Sequence, residues 1–303
     1  MLEIRPPAAF GVAEVCGIGP GHDAPRDASR DASREAQALR AALARHAVVC
    51  VRLPRRLDDG ELQSLARLFG PIKDPVAATA DGGLLRYSEM RQVIDSGFVM
   101  TDEIRAKLGP VALGGLDDER PGLFETFHCD DTYTAAPAAA TVLHARALPP
   151  SGGGPTLFLD MRAAYAALDA ATRDRIAGMR VAYAYNNENA FPPRRSATGP
   201  ADALERVSHP LVRTHPTAGT RSLYLDLDRA THVEGLPIDE GRRLLQGLQD
   251  TAEATAPRCQ HDWRDDDVLV WDNASVQHKA GGNFRVGEPR RFWRYMIAGD
   301  PPV

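Results

Sequence analysis

Short β-like stretches fill the chain from residue 124 onward, and they constrain the fold more than any other feature. Each combines apolar and β-branched residues and is bounded by glycine, proline or polar residues, as strands joined by turns are. They cover residues 141–145, 156–159, 181–185, 211–214, 223–227, 268–271 and 291–297, with helical periodicity only at 161–179 and 239–253. This pattern predicts a mainly β chain with flanking helices, folded as a jelly roll or sandwich.

The N-terminal part adds helices to this pattern. It predicts a strand at 10–16, a helix with apolar residues at 38, 39, 42 and 43, a buried strand at 47–51 and a second helix that Gly70-Pro71 ends. Residues 77–122 have mixed polarity and paired glycines, which is typical of a lid over an active site. No linker rich in Pro, Gly or Ser divides the chain, so residues 1–303 are predicted to form a single domain.

Charge and composition exclude several classes of partner. The net charge of −5 offers no basic surface to a nucleic acid or an anionic membrane. The longest weakly polar run, 135–143, contains a proline and is too short to span a bilayer, and the N-terminus has no secretory pattern. The four cysteines are scattered without a CxxC pair, which favours reduced thiols. We therefore expect a cytoplasmic protein with no nucleic-acid or membrane partner.

Two His-x-acid pairs are candidates for a metal site. Side chains at i and i+2 of a strand point the same way, so such a pair aims an imidazole and a carboxylate at one point. Iron(II) held by two imidazoles and one carboxylate keeps coordination positions open. The pair His128/Asp130 follows an aromatic run, whereas the pair His232/Glu234 lies in a polar stretch that we interpret as surface. A lone pair of this kind is more often coincidence than a metal site.

Longer motifs around the first pair carry a family resemblance. They are FHCDDTYTAAPAAATVLHARALPPSGGGPTLFLDM (127–161), HPLVRTHPTAGTRSLYL (209–225), WRDDDVLVWDNASVQHKA (263–280) and EPRRFWRYMIAGD (288–300). The N-terminal runs ALRAALARHAVVCVRLP (38–54) and LQSLARLFGPI (62–72) fit the same family's opening elements. In this order the motifs resemble the taurine dioxygenase/TfdA family of Fe(II)- and 2-oxoglutarate-dependent oxygenases. The resemblance covers the chain except 77–122 and implies a double-stranded β-helix, or jelly roll.

The resemblance also implies a ligand set. His128 and Asp130 correspond to the family's His-x-Asp motif, and His278 corresponds to its distal histidine. Asp131 is adjacent, but the i, i+2 geometry favours Asp130 as the carboxylate ligand. We therefore predict that Fe(II) binds His128, Asp130 and His278.

The cosubstrate residues follow from the same comparison with the family. The threonine that holds 2-oxoglutarate falls on Thr156, and the arginine falls on Arg290, with Arg294 facing the substrate. A guanidinium suits a carboxylate because it donates two parallel charge-assisted hydrogen bonds. Strand parity places 290 and 294 on one face and 291 on the other. The loop after His278 differs in length from the family pattern, so Arg291 stays an alternative.

The activity implied is a dioxygenase that uses Fe(II), 2-oxoglutarate and O2. Such an enzyme oxidises, in most cases hydroxylates, an unactivated C–H of a small molecule and forms succinate and CO2. Family members are often dimers or tetramers, so a homo-oligomer is expected. The alternatives are a cupin-like isomerase or other metal-binding barrel, and a non-catalytic barrel protein. Thr156 and Arg290 discriminate among these, because neither alternative needs a clamp for 2-oxoglutarate.

Substrate recognition is expected to differ from that of the family's sulfonate-using members. Where they have a histidine, an asparagine and an arginine, this chain has Asp74, Phe124 and Arg294. An aspartate repels a sulfonate, and a phenylalanine replaces a hydrogen-bonding group with an apolar wall. We expect taurine to be a poor substrate and a zwitterionic or amino-acid-like molecule to be favoured, with its amine toward Asp74 and its carboxylate toward Arg294. The competing interpretation is that Asp74 only caps the preceding turn or pairs with Lys73.

Overall fold

A computed structural model describes residues 2–18, 28–74, 76–78, 84–86, 92–95, 126–185, 206–282, 284 and 288–303. The side chains of residues 28–33 and 76–95 are not among the described features. Phe124 and most of the predicted lid, 77–122, therefore lie outside the described residues.

The larger sheet contains seven strands. In spatial order they are β1 (Glu3–Arg5), β2 (Ala13–Cys16), β3 (Val48–Val51), β15 (Val268–Asp272), β7 (Ala140–Ala147), β17 (Arg291–Ile297) and β6 (Gln92–Asp95). All neighbours are antiparallel except β2 and β3, which are parallel. The fully buried central strands have the runs of valine and leucine that both-sided burial requires.

Smaller sheets complete the β structure. One has the order β14 (Arg258–His261), β8 (Thr156–Asp160), β16 (Val276–Ala280), and another has the order β10 (Val207–Pro210), β9 (Arg180–Tyr183), β13 (Ala230–Val233). Two pairs remain, β11 (Val212–Thr214) with β12 (Arg221–Leu223), and β4 (Val76–Ala78) with β5 (Leu84–Arg86). The prediction of a mainly β chain with flanking helices is confirmed.

Five helices lie among the described residues: α1 (Ala28–His46), α2 (Asp59–Arg67), α3 (Met161–Ala167), α4 (Ala170–Ile176) and α5 (Ile238–Thr255). Asp58 and Glu61 form a reciprocal capping box at the start of α2. The prediction of one helix at 161–179 is wrong. Leu168 is extended there, and the Asp169 carboxylate accepts a hydrogen bond from the Thr172 amide at 2.8 Å and begins α4.

A second prediction that fails is the strand at 223–227. Strand β12 ends at Leu223, and residues 227–229 form a turn. The Asp226 carboxylate accepts a hydrogen bond from the Asp228 amide at 3.1 Å, which is the local side-chain contact that turns exploit. The mostly apolar run at 223–227 therefore leads into a turn and does not form a continuous strand.

Aromatic packing inside the barrel supports the site. Phe158, Trp271 and Phe292 belong to a buried cluster that joins the larger sheet to β8. The ring of His278 lies 4.5 Å from Trp271 and 6.3 Å from Phe158, measured between centroids. Rings packed at these distances restrict rotation of the imidazole, so the core presents His278 in one orientation.

Candidate metal centre

Two of the three predicted ligands lie opposite each other on adjacent chain segments. His128 forms an isolated antiparallel bridge with His278, through backbone hydrogen bonds of 3.1 and 2.9 Å. Residues directly opposite in such a pair have side chains on the same face, and the two imidazole centroids are 4.4 Å apart. The predicted strand at 128–130 is reduced to this bridge, because Asp131 adopts a φ of 66° and the chain turns.

The third predicted ligand completes a cluster of donor atoms. One donor atom from each of His128, Asp130 and His278 lies within 4.8 Å of the others. Nε2 of His278 is 3.7 Å from Oδ2 of Asp130, which is too long for a hydrogen bond. Two imidazoles and one carboxylate whose donor atoms converge in this way match a facial metal site. The residues present therefore fit a divalent metal ion.

Neighbouring groups orient these ligands. Nδ1 of His128 lies 2.9 Å from the Thr126 carbonyl oxygen, so Nδ1 carries the hydrogen and Nε2 keeps its lone pair. The Thr141 hydroxyl donates to Oδ2 of Asp130 at 2.6 Å, and Nη1 of Arg294 is 3.4 Å from Oδ1. Hydrogen bonds thus orient His128 and Asp130, whereas ring packing against Trp271 restricts His278.

The protonation states suit metal binding. Burial, followed by repulsion from His128 and Arg294, lowers the pKa of His278 to about 3, although Asp130 opposes this shift. Burial raises the pKa of Asp130, but attraction to His278, Arg294 and His128 outweighs it, and the resulting pKa is about 2. At neutral pH His278 is therefore neutral and Asp130 is ionised, as a divalent metal requires.

The predicted cosubstrate residues flank His278 on the small sheet. His278 pairs with Phe158 across β16 and β8, and Ala280 pairs with Thr156. Thr156 therefore projects from the same face as His278. Its hydroxyl oxygen accepts a hydrogen bond from Trp263 Nε1 at 3.0 Å.

The two candidate arginines differ in burial. Arg290 is 3% exposed, and its Nε donates to the Gly154 carbonyl oxygen at 3.0 Å. Arg291 is exposed, and the register of β17 shifts between Arg291 and Phe292, which interrupts the strict alternation assumed from the sequence. Gly154 has a φ of +63°, and a Cβ there would lie 2.7 Å from Arg290 Nε. Glycine is thus required where the chain passes Arg290.

A cavity of about 180 Å³ opens beside the side chains of His128 and Asp130. Its described lining is His128, Cys129, Asp130, Asp131, Tyr133, Asp226, Asp228, Arg229, Arg294 and Met296. Sequence reasoning placed Arg294 here but missed the Asp-Leu-Asp-Arg run at 226–229. The available signal was Asp226 near the end of the predicted strand 223–227 with Asp228 and Arg229 directly after it, a polar run that favours a turn.

The other predicted substrate residues are not brought to this cavity. Asp74 is exposed and is not among the lining residues. Lys73 donates hydrogen bonds to the carboxylate of Asp131 and to the Thr134 hydroxyl. These contacts give no support to the competing interpretation, in which Lys73 pairs with Asp74. Phe124 lies outside the described residues.

A second cluster of ligand-type residues lies elsewhere in the barrel. Cys50, His261 and Asp267 also place donor atoms within 4.8 Å of one another, and all three are buried. His261 Nε2 is 2.9 Å from Asp267 Oδ2, and the same carboxylate accepts from Arg52 and from the Arg264 amide. No sequence motif predicted this cluster, since Cys50 is distant in the chain from His261 and Asp267.

No helix among the described residues is long and apolar enough to cross a membrane.

Comparisons with known proteins identify the family. The model of the family described as "Taurine catabolism dioxygenase TauD, TfdA family" matches residues 4–296. The alpha-ketoglutarate-dependent 2,4-dichlorophenoxyacetate dioxygenase of Burkholderia sp. (strain RASC) is 35% identical over 80% of this chain and 79% of that protein. The (S)-phenoxypropionate/alpha-ketoglutarate-dioxygenase of Delftia acidovorans is 31% identical over 87% of this chain and 86% of that protein.

Solved structures agree in fold. The crystal structure of AAD-2 in complex with Mn(II) and N-oxalylglycine superposes with a TM-score of 0.74 at 24% identity, covering 100% of this chain and 99% of that one. A taurine dioxygenase from Burkholderia xenovorans gives a TM-score of 0.70 at 22% identity, covering 100% and 92%. These likenesses confirm the jelly-roll fold. With the family match over nearly the whole length, the chain belongs to the TauD, TfdA family and is a 2-oxoglutarate-dependent dioxygenase.

Proposed function

We propose that His128, Asp130 and His278 bind Fe(II), and that the enzyme hydroxylates an unactivated C–H of a small molecule. The observation that carries this proposal is the convergence of two imidazoles and one carboxylate, whose donor atoms lie within 4.8 Å of one another. Bound Fe(II) and 2-oxoglutarate would supply the activation of O2, with succinate and CO2 as coproducts. Three protein ligands would leave other coordination positions of bound Fe(II) open to the cosubstrate.

Thr156 and Arg290 are our candidates for the residues that bind the distal carboxylate of 2-oxoglutarate. Thr156 shares a sheet face with His278, and Arg290 is buried next to Gly154. A buried guanidinium gives a carboxylate two charge-assisted hydrogen bonds at low solvent screening. Arg291 has an exposed side chain, which makes it the weaker candidate. A cupin-like isomerase or a non-catalytic barrel has no use for this clamp, and the matched relatives support neither alternative.

For the substrate, we infer a small molecule with an apolar body and a carboxylate directed toward Arg294. Arg294 lines the cavity beside His128 and Asp130. Two matched relatives are named for 2,4-dichlorophenoxyacetate and (S)-phenoxypropionate, which are carboxylates with aromatic bodies. Taurine is expected to be a poor substrate. An amine on the substrate, facing Asp74, and a wall formed by Phe124 stay predictions without structural support, since Asp74 is exposed.

Several broader predictions belong with this proposal. The four cysteines are free thiols, as expected of a cytoplasmic protein. A single domain over residues 1–303, a lid at 77–122 and a dimer or tetramer also stay predictions. Proteolysis with and without iron, 2-oxoglutarate and substrate tests the lid, which should be cut first and protected by the ligands.

One assay tests the central proposal. Purified protein loaded with Fe(II) should convert 2-oxoglutarate to succinate in an O2-dependent reaction, faster with a phenoxyalkanoate or an amino acid than with taurine. Asp74→Asn should change the preference for amines over neutral analogues if Asp74 contacts the substrate. An O2-independent reaction, or no succinate with any metal, would contradict the proposed chemistry.

A further inference from the structure

The segment that contains two of the proposed ligands has little regular backbone support. Between residues 126 and 134 the segment has one isolated bridge, at His128, followed by a turn. A segment outside a ladder needs side-chain contacts to hold its residues within a fraction of an ångström. The contacts that could do this lead to the Asp226–Asp228 turn, which sequence reasoning missed.

We propose that Asp226 and Asp228 are positioning residues that hold the ligand segment through Thr132 and Thr126. The Thr132 hydroxyl donates to Asp226 Oδ2 at 2.9 Å, and the Thr126 hydroxyl donates to Asp228 Oδ2 at 2.5 Å. The two threonines flank the ligands, so the segment is fastened on both sides of the His-x-Asp motif. This inference rests on the proposal that His128, Asp130 and His278 bind the metal.

One of these contacts leads directly to a ligand. The carbonyl oxygen of Thr126 lies 2.9 Å from Nδ1 of His128, and the hydroxyl of the same residue donates to Asp228. The backbone of Thr126 therefore orients the imidazole, while its side chain fixes that backbone to the turn. Partners of this kind, one step removed from a metal ligand, fix the ring orientation and tautomer of ligating histidines.

The turn is a firm support because it is bonded on several sides. Asp226 Oδ1 accepts from the Asp228 amide at 3.1 Å, and the Asp226 carbonyl oxygen accepts from the Ala230 amide at 2.8 Å, where β13 begins. The preceding Tyr224 carbonyl oxygen accepts from the Tyr183 hydroxyl at 3.0 Å. The turn is thus continuous with the sheet formed by β9 and β13.

Burial makes the Thr132 contact hard to replace. Asp226 is 2% exposed and Thr132 is 0% exposed. The hydrogen-bond donors to the Asp226 carboxylate are the Thr132 hydroxyl and the Asp228 amide, neither of which is a cation. Burial raises the pKa of Asp226 to about 6, as expected for such a carboxylate. Loss of either donor leaves a buried acceptor short of a partner, so the contact resists displacement.

The test measures metal affinity rather than turnover. Metal-free protein is titrated with Mn(II), and the Kd of wild type is compared with those of Thr132→Val, Thr126→Val and the rescue variants Thr132→Ser and Thr126→Ser. Valine keeps the shape and removes the donor, whereas serine keeps the donor. We expect the valine variants to weaken Mn(II) binding roughly 10-fold, the lower end of effects at such partners, and the serine variants to restore it. Thr126 is exposed, so its variants keep the test usable if Thr132→Val fails to fold.

A matched control separates positioning from general stability. Thr231 is also a buried threonine, its hydroxyl donates to the Ala182 carbonyl oxygen at 3.0 Å, and it is not among the described residues that line the cavity beside His128 and Asp130. Thr231→Val should lower the melting temperature to a similar degree and leave the Mn(II) Kd unchanged. The visible spectrum of the Co(II)-loaded protein should shift in Thr132→Val and not in Thr231→Val.

The outcomes distinguish this inference from the metal site itself. Equal Mn(II) affinity of wild type and His128→Ala would overturn the metal site, and the inference with it. Tight binding by wild type and unchanged affinity in both valine variants would overturn the inference alone. If the two valine variants raised the KM only for cationic substrates and left the Mn(II) affinity unchanged, Asp226 and Asp228 would instead be assigned to substrate recognition.

Discussion

Among the described residues two clusters of ligand-type side chains occur, and their contacts differ. Cys50, His261 and Asp267 are buried and bond one another, with His261 Nε2 2.9 Å from the Asp267 carboxylate. In the other cluster, His278 Nε2 and the Asp130 carboxylate are 3.7 Å apart. In the first cluster an imidazole and a carboxylate are hydrogen-bonded to each other, whereas in the second the His278 imidazole and the Asp130 carboxylate are not.

The two clusters also differ in their hydrogen-bond donors and in their access to a cavity. The Asp267 carboxylate also accepts from Arg52 and the Arg264 amide, so with His261 three donors, one of them an arginine cation, already bind it. His128 and Asp130, in contrast, line a cavity of about 180 Å³. Residue type and proximity are therefore insufficient to recognise a metal site. What distinguishes the cluster of His128, Asp130 and His278 is that two of its members line a cavity and that His278 and Asp130 are not hydrogen-bonded to each other.

The largest expected effect concerns the cluster formed by His128, Asp130 and His278. His128→Ala, Asp130→Ala and His278→Ala should each abolish Fe(II)-dependent succinate formation while the fold is kept, because two ligands hold the metal too weakly. Far-UV circular dichroism and an assay of 2-oxoglutarate turnover measure both properties. His232→Ala and His261→Ala serve as controls and should keep Fe(II)-dependent turnover. Full activity in a triad variant would remove that residue from the site, and lost activity in soluble, folded His261→Ala would erase the contrast between the clusters.

Next in size is the effect at the cosubstrate arginine. Arg290→Ala should weaken 2-oxoglutarate binding by roughly 2–5 kcal/mol, because a buried carboxylate would lose its charged partner. Arg291→Ala changes an exposed side chain and should leave the affinity nearly unchanged. Titration of the metal-loaded protein with 2-oxoglutarate gives both values. A larger loss in Arg291→Ala would mean that the assignment is wrong by one residue.

A smaller effect, on stability rather than activity, is expected at the cluster formed by Cys50, His261 and Asp267. Asp267→Ala removes the acceptor shared by Arg52, His261 and the Arg264 amide, and should lower the free energy of unfolding by roughly 3 kcal/mol. Mn(II) affinity of the folded protein should not change. Urea unfolding and metal titration check the two parts. Loss of metal binding at full stability would show that this cluster, too, binds a metal.

The smallest effect is a pH dependence of that same stability. Burial opposes ionisation of Asp267, but its bonds to His261, the Arg264 amide and Arg52 outweigh burial and lower its pKa. A depressed folded-state pKa contributes stability above the ordinary value of about 3.9 and loses it as pH falls through the folded-state pKa. The stability difference between metal-free wild type and Asp267→Ala should therefore shrink below about pH 4. A difference that grows on acidification would contradict this sign.

Much of the site was predictable because its parts are local in sequence. The His128/Asp130 spacing, the glycines before Thr156 and the paired arginines at 290 and 291 are visible in the chain, and family resemblance supplied His278. The strand at 291–297 was predicted with the bounds that the structure has. Less successful were the helix at 161–179 and the strand at 223–227, where single aspartate side chains bonded to nearby amides and turned the chain.

The sequence by itself determined the mainly β architecture, the order of the motifs and the chemical types of the ligands, because strand periodicity and short spacings are properties of neighbouring residues. Only the tertiary structure decided which ligand-type residues converge beside a cavity, and that Asp226 and Asp228 bond to Thr132 and Thr126. It also separated buried Arg290 from exposed Arg291. These properties depend on contacts between residues far apart in the chain, such as 126 with 228, and hydrogen-bond satisfaction and burial exist only once those residues meet.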